Sequence, residues 1–144
     1  MNKSATIEAI QEEIANEFEF FDEWDEKYGY IIELGKKLPP LPEESKIESN
    51  IIKGCQSQVW MTSTYTDGKV YYRADSDAII VKGLISLLIR VLSEHSPSEI
   101  VSGDLFFLDK IGMMQHLSQT RSNGLASMVK QMKLHALAYK AKSL

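Results

Sequence analysis

One stretch constrains the fold more than any other. Residues 78–92, AIIVKGLISLLIRVL, are apolar nearly all the way round a helix. Lys82, Gly83, Ser86 and Arg90 interrupt the run, so it is too polar to span a bilayer. A helix with no solvated face has to be covered by the rest of its own chain, which makes it the centre of a core. With 144 residues and 44% hydrophobic content, the chain has material for one such core. We therefore expect a single domain over residues 1–144.

The flanking sequence supplies the covering layers. Ser4 is placed as an N-cap, followed by Ile7, Ile10, Ile14 and Phe18 at helical spacing. A second helix is expected from Asp22, with Trp24, Tyr28, Ile31, Ile32 and Leu34 as its apolar stripe. Lys36 and Lys37 suit its C-terminal end, and Pro39, Pro40 and Pro42 stop it. Residues 38–50 then read as a surface connection. Residues 57–66 and 69–74 are β-branched and aromatic, and Asp67-Gly68 between them is a tight hairpin turn. Asp75, Ser76 and Asp77 are expected to be turn residues and caps for the central helix. Ser96-Pro97-Ser98-Glu99 has the pattern of a capping box with proline at the first helical position. It starts a short helix that ends near Gly103, and residues 105–111 form another. A last helix spans about 120–142, with Leu125, Met128, Val129, Met132, Leu137 and Ala138 as its apolar residues. The class is α+β, with helices around a small antiparallel sheet.

The net charge of −4 gives no electrostatic reason to expect nucleic acid as a partner. The acidic start, MNKSATIEAIQEE, is not a signal peptide, and one cysteine fits a reducing compartment. The expectation is a soluble cytoplasmic protein with no membrane partner. Cys55, His95, His116 and His135 show no metal-ligand spacing, so no metal is expected. Gly83 and Gly112 are isolated, and Lys53-Gly54 lacks the rest of a phosphate-binding loop.

The remaining chemistry lies in IIKGCQSQVW, residues 51–60, around Cys55. Turn residues precede the cysteine and a strand follows it, which suggests a thiol displayed at a loop tip. Reactivity requires thiolate, and free thiols titrate near 8.5 unless a cation or backbone N–H groups lower them. Lys53 is close in sequence, and Arg121 is a candidate in space. A reactive thiol and a small buried one both remain open on local sequence. A cysteine hydrolase with His116 as base is also conceivable, although no oxyanion hole or orienting group is specified.

At GCQSQVW, residues 54–60, the chain closely resembles the sulfur-acceptor motif of the SufE family, which includes CsdE-type proteins. WDEKYGYIIELGKKLP at 24–39 resembles the family's N-terminal helix signature, and DSDAIIVKGL at 75–84 the segment after the hairpin. HLSQTRSNGLASMV at 116–129 is similar to the family's C-terminal element. Gln119 stands where proline is usual, and Thr120 where serine is common. Four ordered blocks at compatible spacing carry the resemblance across most of the chain.

The resemblance implies a SufE/IscU-like α+β fold and a persulfide carrier. Cys55 would accept sulfur from a pyridoxal-phosphate cysteine desulfurase of the SufS/CsdA type, stimulate that enzyme, and pass sulfur toward a SufBCD-type iron–sulfur scaffold. The chain would be a sulfurtransferase-like accessory subunit needing no cofactor of its own. Asp77 and Arg121 occupy motif positions tied to the desulfurase-facing surface and the cysteine loop. Gly54 eases loop movement, and Gln56 and Ser57 would fix the loop by hydrogen bonds. The alternative is an interaction module that activates a desulfurase without carrying sulfur. Plainer roles also stand: Asp77 as a helix cap, Arg121 on surface carboxylates, Lys82 snorkelling from the buried helix.

Overall fold

The computed structural model describes residues 5–142. The chain runs α1 (Ile7–Phe18), α2 (Trp24–Lys36), two 3₁₀ turns (Glu43–Ser45 and Glu48–Asn50), β1 (Val59–Thr66) and β2 (Lys69–Ser76). It continues through α3 (Ile79–Leu92), α4 (Pro97–Ser102), α5 (Phe107–Lys110), α6 (Met113–His116) and α7 (Gln119–Lys142). The α+β expectation holds: helices pack around a two-stranded antiparallel sheet. Among the described residues, no helix is long and apolar enough to cross a membrane.

As its all-round apolarity requires, α3 is central. Leu84, Ile85, Leu87, Leu88, Val91 and Leu92 are all buried. It crosses α2 at a point where two glycines meet. A Cβ on Gly35 would stand 2.7 Å from Gly83 N, and one on Gly83 would meet the backbone and side chain of Ile31. The absence of both side chains lets the helices approach at backbone distance. On α1, Ile7, Ile10, Ile14 and Phe18 face the core. Thr6 caps this helix, its hydroxyl accepting from Ala9 N at 3.0 Å. The cap expected at Ser4 lies outside the described residues. The second helix starts two residues later than Asp22, where the Glu26 carboxylate accepts from Glu23 N at 3.3 Å.

The hairpin closes at Thr66↔Lys69, with Asp67 and Gly68 both at positive φ, the two-residue turn that matches strand twist. Alternation then puts Val59 and Met61 of β1 and Val70, Tyr72 and Ala74 of β2 into the core. The return strand is longer than expected, because Asp75 and Ser76 belong to it. They do not cap α3, which follows Ala78 without a side-chain cap. The capping box at Ser96 and Glu99 forms as the sequence predicts. The short helix α6 was not anticipated. In α7 the buried stripe is Leu125, Met128, Met132 and Ala136, and the expected Leu137 and Ala138 point outward. The stripe keeps its i+4 step past Met132, which turns the next two positions to solvent.

Candidate functional site: the Cys55 loop

The loop is clamped at its base by a short antiparallel pairing. Ile51 bridges Trp60, and Ile52 N donates to Val59 O at 2.8 Å. Between these stems Gly54 adopts φ +95°, a conformation that L side chains rarely take. A Cβ there would also lie 2.5 Å from Ser127 Oγ on α7. The absence of a side chain on Gly54 therefore allows the loop to lie against α7.

Cys55 is at the tip of this loop, but its side chain is not displayed outward. The thiol turns inward, half-buried, with Sγ donating to the Gly124 carbonyl at 3.5 Å. It adjoins a cavity of about 70 Å³ walled by Val81 and Leu84 of α3 and by Thr120, Arg121, Gly124 and Met128 of α7. Gln56 and Ser57 complete the rim. Burial pushes the Cys55 thiol above its ordinary range. Of the two readings that the local sequence left open, this resting geometry is that of the buried thiol, with desolvation as the cause of the shift.

The return stem is held by β2. Gln58 N donates to Asp77 Oδ1 at 3.0 Å, and Gln58 O accepts from Ser76 Oγ at 2.8 Å. Asp77 N also donates to Gln58 O at 3.3 Å. Asp77 is therefore a loop anchor and not the cap of α3. The hydrogen bonds that fix the loop run through the backbone of Gln58, not through Gln56 and Ser57 as expected.

The structure thus brings Gly54, Cys55, Gln56, Ser57 and Arg121 into one locale, with Asp77 at its base. Lys53 faces away, onto an open groove of about 750 Å³ that it lines with Glu48, Ser127 and Lys130. His116 is absent from the cavity wall. It stacks on Trp24 with ring centroids 3.8 Å apart, and its carbonyl accepts from Tyr28 Oη at 2.9 Å. That removes the arrangement a Cys–His hydrolase needs. Among the described residues, no group of three or more His, Cys, Asp and Glu side chains is gathered to hold a metal ion.

Sequence reasoning missed the wall itself. Thr120, Gly124 and Met128 recur every four residues and Val81 and Leu84 are three apart, so each set shares a helix face. That spacing was the available signal. Also missed was Asp75, only 4% exposed, which accepts from Leu41 N at 3.1 Å and Ser76 N at 2.9 Å. Lys82 does not simply snorkel to solvent, since its Nζ lies 3.3 Å from Asp75 Oδ1.

Comparison with known proteins gives a consistent picture. Residues 12–136 match the SufE family model, described as an Fe-S metabolism associated domain. An uncharacterized SufE-like protein of Rhizobium meliloti is 42% identical over 130 residues, covering 87% of this chain and 93% of its own length. An uncharacterized SufE-like protein of Rhizobium etli is 43% identical over 134 residues, with 89% and 90% covered. The solution structure of a hypothetical protein from Thermus thermophilus superposes with a TM-score of 0.74 at 20% identity. It covers 94% of this chain and 97% of that one, a likeness of fold.

Proposed function

The chain belongs to the SufE family, which ties it to Fe–S metabolism and to interaction with a cysteine desulfurase, and on that premise we propose that Cys55 is a sulfur acceptor and carrier. It takes sulfur from the desulfurase's persulfide, stimulates that enzyme by clearing its thiol, and delivers the sulfur for iron–sulfur cluster assembly on a SufBCD-type scaffold in the cytoplasm. The observation that carries the reading is the chain's one cysteine on a clamped loop, its thiol beside a small cavity.

The transfer is thiol–disulfide exchange with a persulfide donor. The Cys55 thiolate attacks the donor's terminal sulfur. A new S–S bond forms to Cys55, the donor's S–S bond breaks, and the donor cysteine leaves as thiolate with the electron pair. Delivery repeats the step, with an acceptor thiolate attacking the sulfur on Cys55 and the Cys55 thiolate leaving. Nothing is oxidised overall, and no cofactor on this chain takes part.

The inward thiol gives the step a direction. At rest, burial raises the Cys55 thiol and so disfavours its thiolate. When the loop swings out toward a partner, burial against α3 and α7 is lost and the thiolate becomes accessible. After transfer, the cavity of about 70 Å³ has room for one further heavy atom, since a water's share of liquid is about 30 Å³. Arg121 lines the same wall, and we assign its positive charge to meeting the anionic persulfide. Asp77 sets the loop's rest position through Gln58.

Incubation with a cysteine desulfurase and cysteine, followed by intact-mass measurement, tests the proposal. The wild type is expected to gain the mass of one sulfur, removable by a thiol reductant, and Cys55→Ser to gain none. Labile sulfur on the substituted protein would sink the assignment. Full stimulation of the desulfurase by Cys55→Ser would favour the module that activates without carrying sulfur.

A further inference from the structure

A single buried carboxylate is bonded to three chain segments that adjoin the Cys55 loop or carry its cavity wall. The first is the leader into the loop, which Asp75 holds through Leu41 N at 3.1 Å and Lys46 Nζ at 3.5 Å. The second is the end of β2, where Ser76 N donates to Asp75 Oδ1 at 2.9 Å. Ser76 and Asp77 in turn bind both polar backbone groups of Gln58. The third is α3, where Lys82 Nζ lies 3.3 Å from Asp75 Oδ1, between the positions of Val81 and Leu84 on the cavity wall.

Two further contacts carry the leader to the loop's first stem. Lys46 Nζ sits 5.6 Å from the Trp60 ring, and Trp60 bridges Ile51. Asn50 Nδ2 donates to Ser45 O at 2.8 Å, joining the two 3₁₀ turns. Asp75 itself pairs with Trp60 across the sheet. A carboxylate only 4% exposed is costly to bury, and its two lysines and two amide donors offset that cost only while all segments stay in place. From this convergence we infer that Asp75 is a positioning residue for Cys55: it fastens the loop's leader and return stem to the cavity wall and so holds the thiol inward.

The inference rests on the sulfur-carrier reading only for why the loop position matters. Its test needs no desulfurase, so it fails or succeeds separately from that reading. The rate of Cys55 alkylation by iodoacetamide is measured across pH for the wild type, Asp75→Asn, Lys82→Gln and Lys46→Gln, with circular dichroism as the check on folding. Leu92→Ala, a distant core truncation, serves as a control for lost stability. Asp75→Asn keeps the shape and loses the charge. Its alkylation is expected to rise about tenfold, the scale of losing charge-assisted bonds that close a local opening.

The pH profile of that variant is also expected to move to lower pH, because a released thiol escapes the burial that holds it up. Lys82→Gln and Lys46→Gln, each removing one arm, give smaller rises. A folded Asp75→Asn protein with the wild-type rate and profile overturns the inference. An equal rise and profile shift in Leu92→Ala also overturns it, since the effect would then be general loosening. If Asp75→Asn does not fold, the two lysine variants decide, and wild-type rates in both overturn the inference.

Discussion

The two flanks of α3 are held by contacts of different kinds. Toward α1 and α2 the contacts run from helix to helix. Gly83 and Gly35 let backbones touch, and Arg90 binds Glu13 at 3.0 Å and also pairs with Glu17. Tyr30 Oη adds a bond to the same Glu17 carboxylate and packs edge-on against Phe18. Toward the cavity the contacts run from the helix to the end of β2 and to the Cys55 loop: Lys82 to Asp75, and Val81 and Leu84 to the space beside Cys55. The helix flank joins elements that stand or fall together. The loop flank is joined by a few polar bonds to short irregular segments, which are the parts of a protein that open locally. On the sulfur-carrier proposal, a thiol that has to reach a partner belongs on the second flank, and a platform that keeps its shape belongs on the first.

The largest expected effect comes from breaking the platform. In Gly83→Ala the new methyl would overlap the Ile31 backbone, which cannot rotate away as a side-chain tip can. Overpacking of this kind costs about 3 kcal/mol where the backbone has to shift. Urea denaturation is expected to show that loss, with Cys55 alkylation under native conditions close to the wild-type rate. Equal loosening of thiol and core would mean the two flanks are one cooperative unit.

Arg90→Met weakens the same flank less, by about 2 kcal/mol, because the pair is partly solvated. Its signature is in pH. The Arg90 hydrogen bond, opposed by burial and helped by Tyr30, holds the Glu17 carboxyl below its ordinary range. A depressed carboxyl contributes stability above its unfolded value, near pH 4, and loses it as pH falls through the lower folded value. Thermal midpoints of the wild type should therefore fall between about pH 5 and pH 2, and that slope should flatten in Arg90→Met. Tyr30 is pushed up to about 12, first by burial and then by its bond to Glu17. This raised group contributes stability below its unfolded value, near pH 10, and loses it as pH rises toward 12.

The platform was the part legible in the sequence, and the loop's resting state was not. The all-round apolarity of α3, the Asp67-Gly68 turn and the Ser96–Glu99 box act within a few residues, so their patterns state the structure directly. Asp75-Ser76-Asp77 also looks local, like a turn with caps. Lys46 and Lys82 instead draw Asp75 into a buried cluster, and the hairpin runs two residues further than its composition indicates. The inward turn of Cys55 depends on Gly124, 69 positions away on α7, and no spacing around the cysteine encodes that contact. The family resemblance singled out Cys55 as the residue proposed to carry sulfur, whereas the upward shift of its thiol follows from burial created by α3 and α7.

The smallest stability effect, and the sharpest separation of the two flanks, is expected from Gly54→Ala. An alanine at φ +95° is strained, and its Cβ would press on Ser127 Oγ at 2.5 Å. The loop relieves both by lifting off α7, so the global cost is about 1 kcal/mol, the scale of left-handed strain in an L residue. Alkylation of Cys55 is nevertheless expected to quicken several-fold, because lifting the loop separates Sγ from the Gly124 carbonyl and the cavity wall. Adding Ser127→Ala removes the oxygen that the new methyl meets, and should return part of the slow rate while leaving the backbone strain. If Gly54→Ala lowers the urea midpoint as much as Gly83→Ala does, the loop is part of the platform and the contrast between the flanks fails.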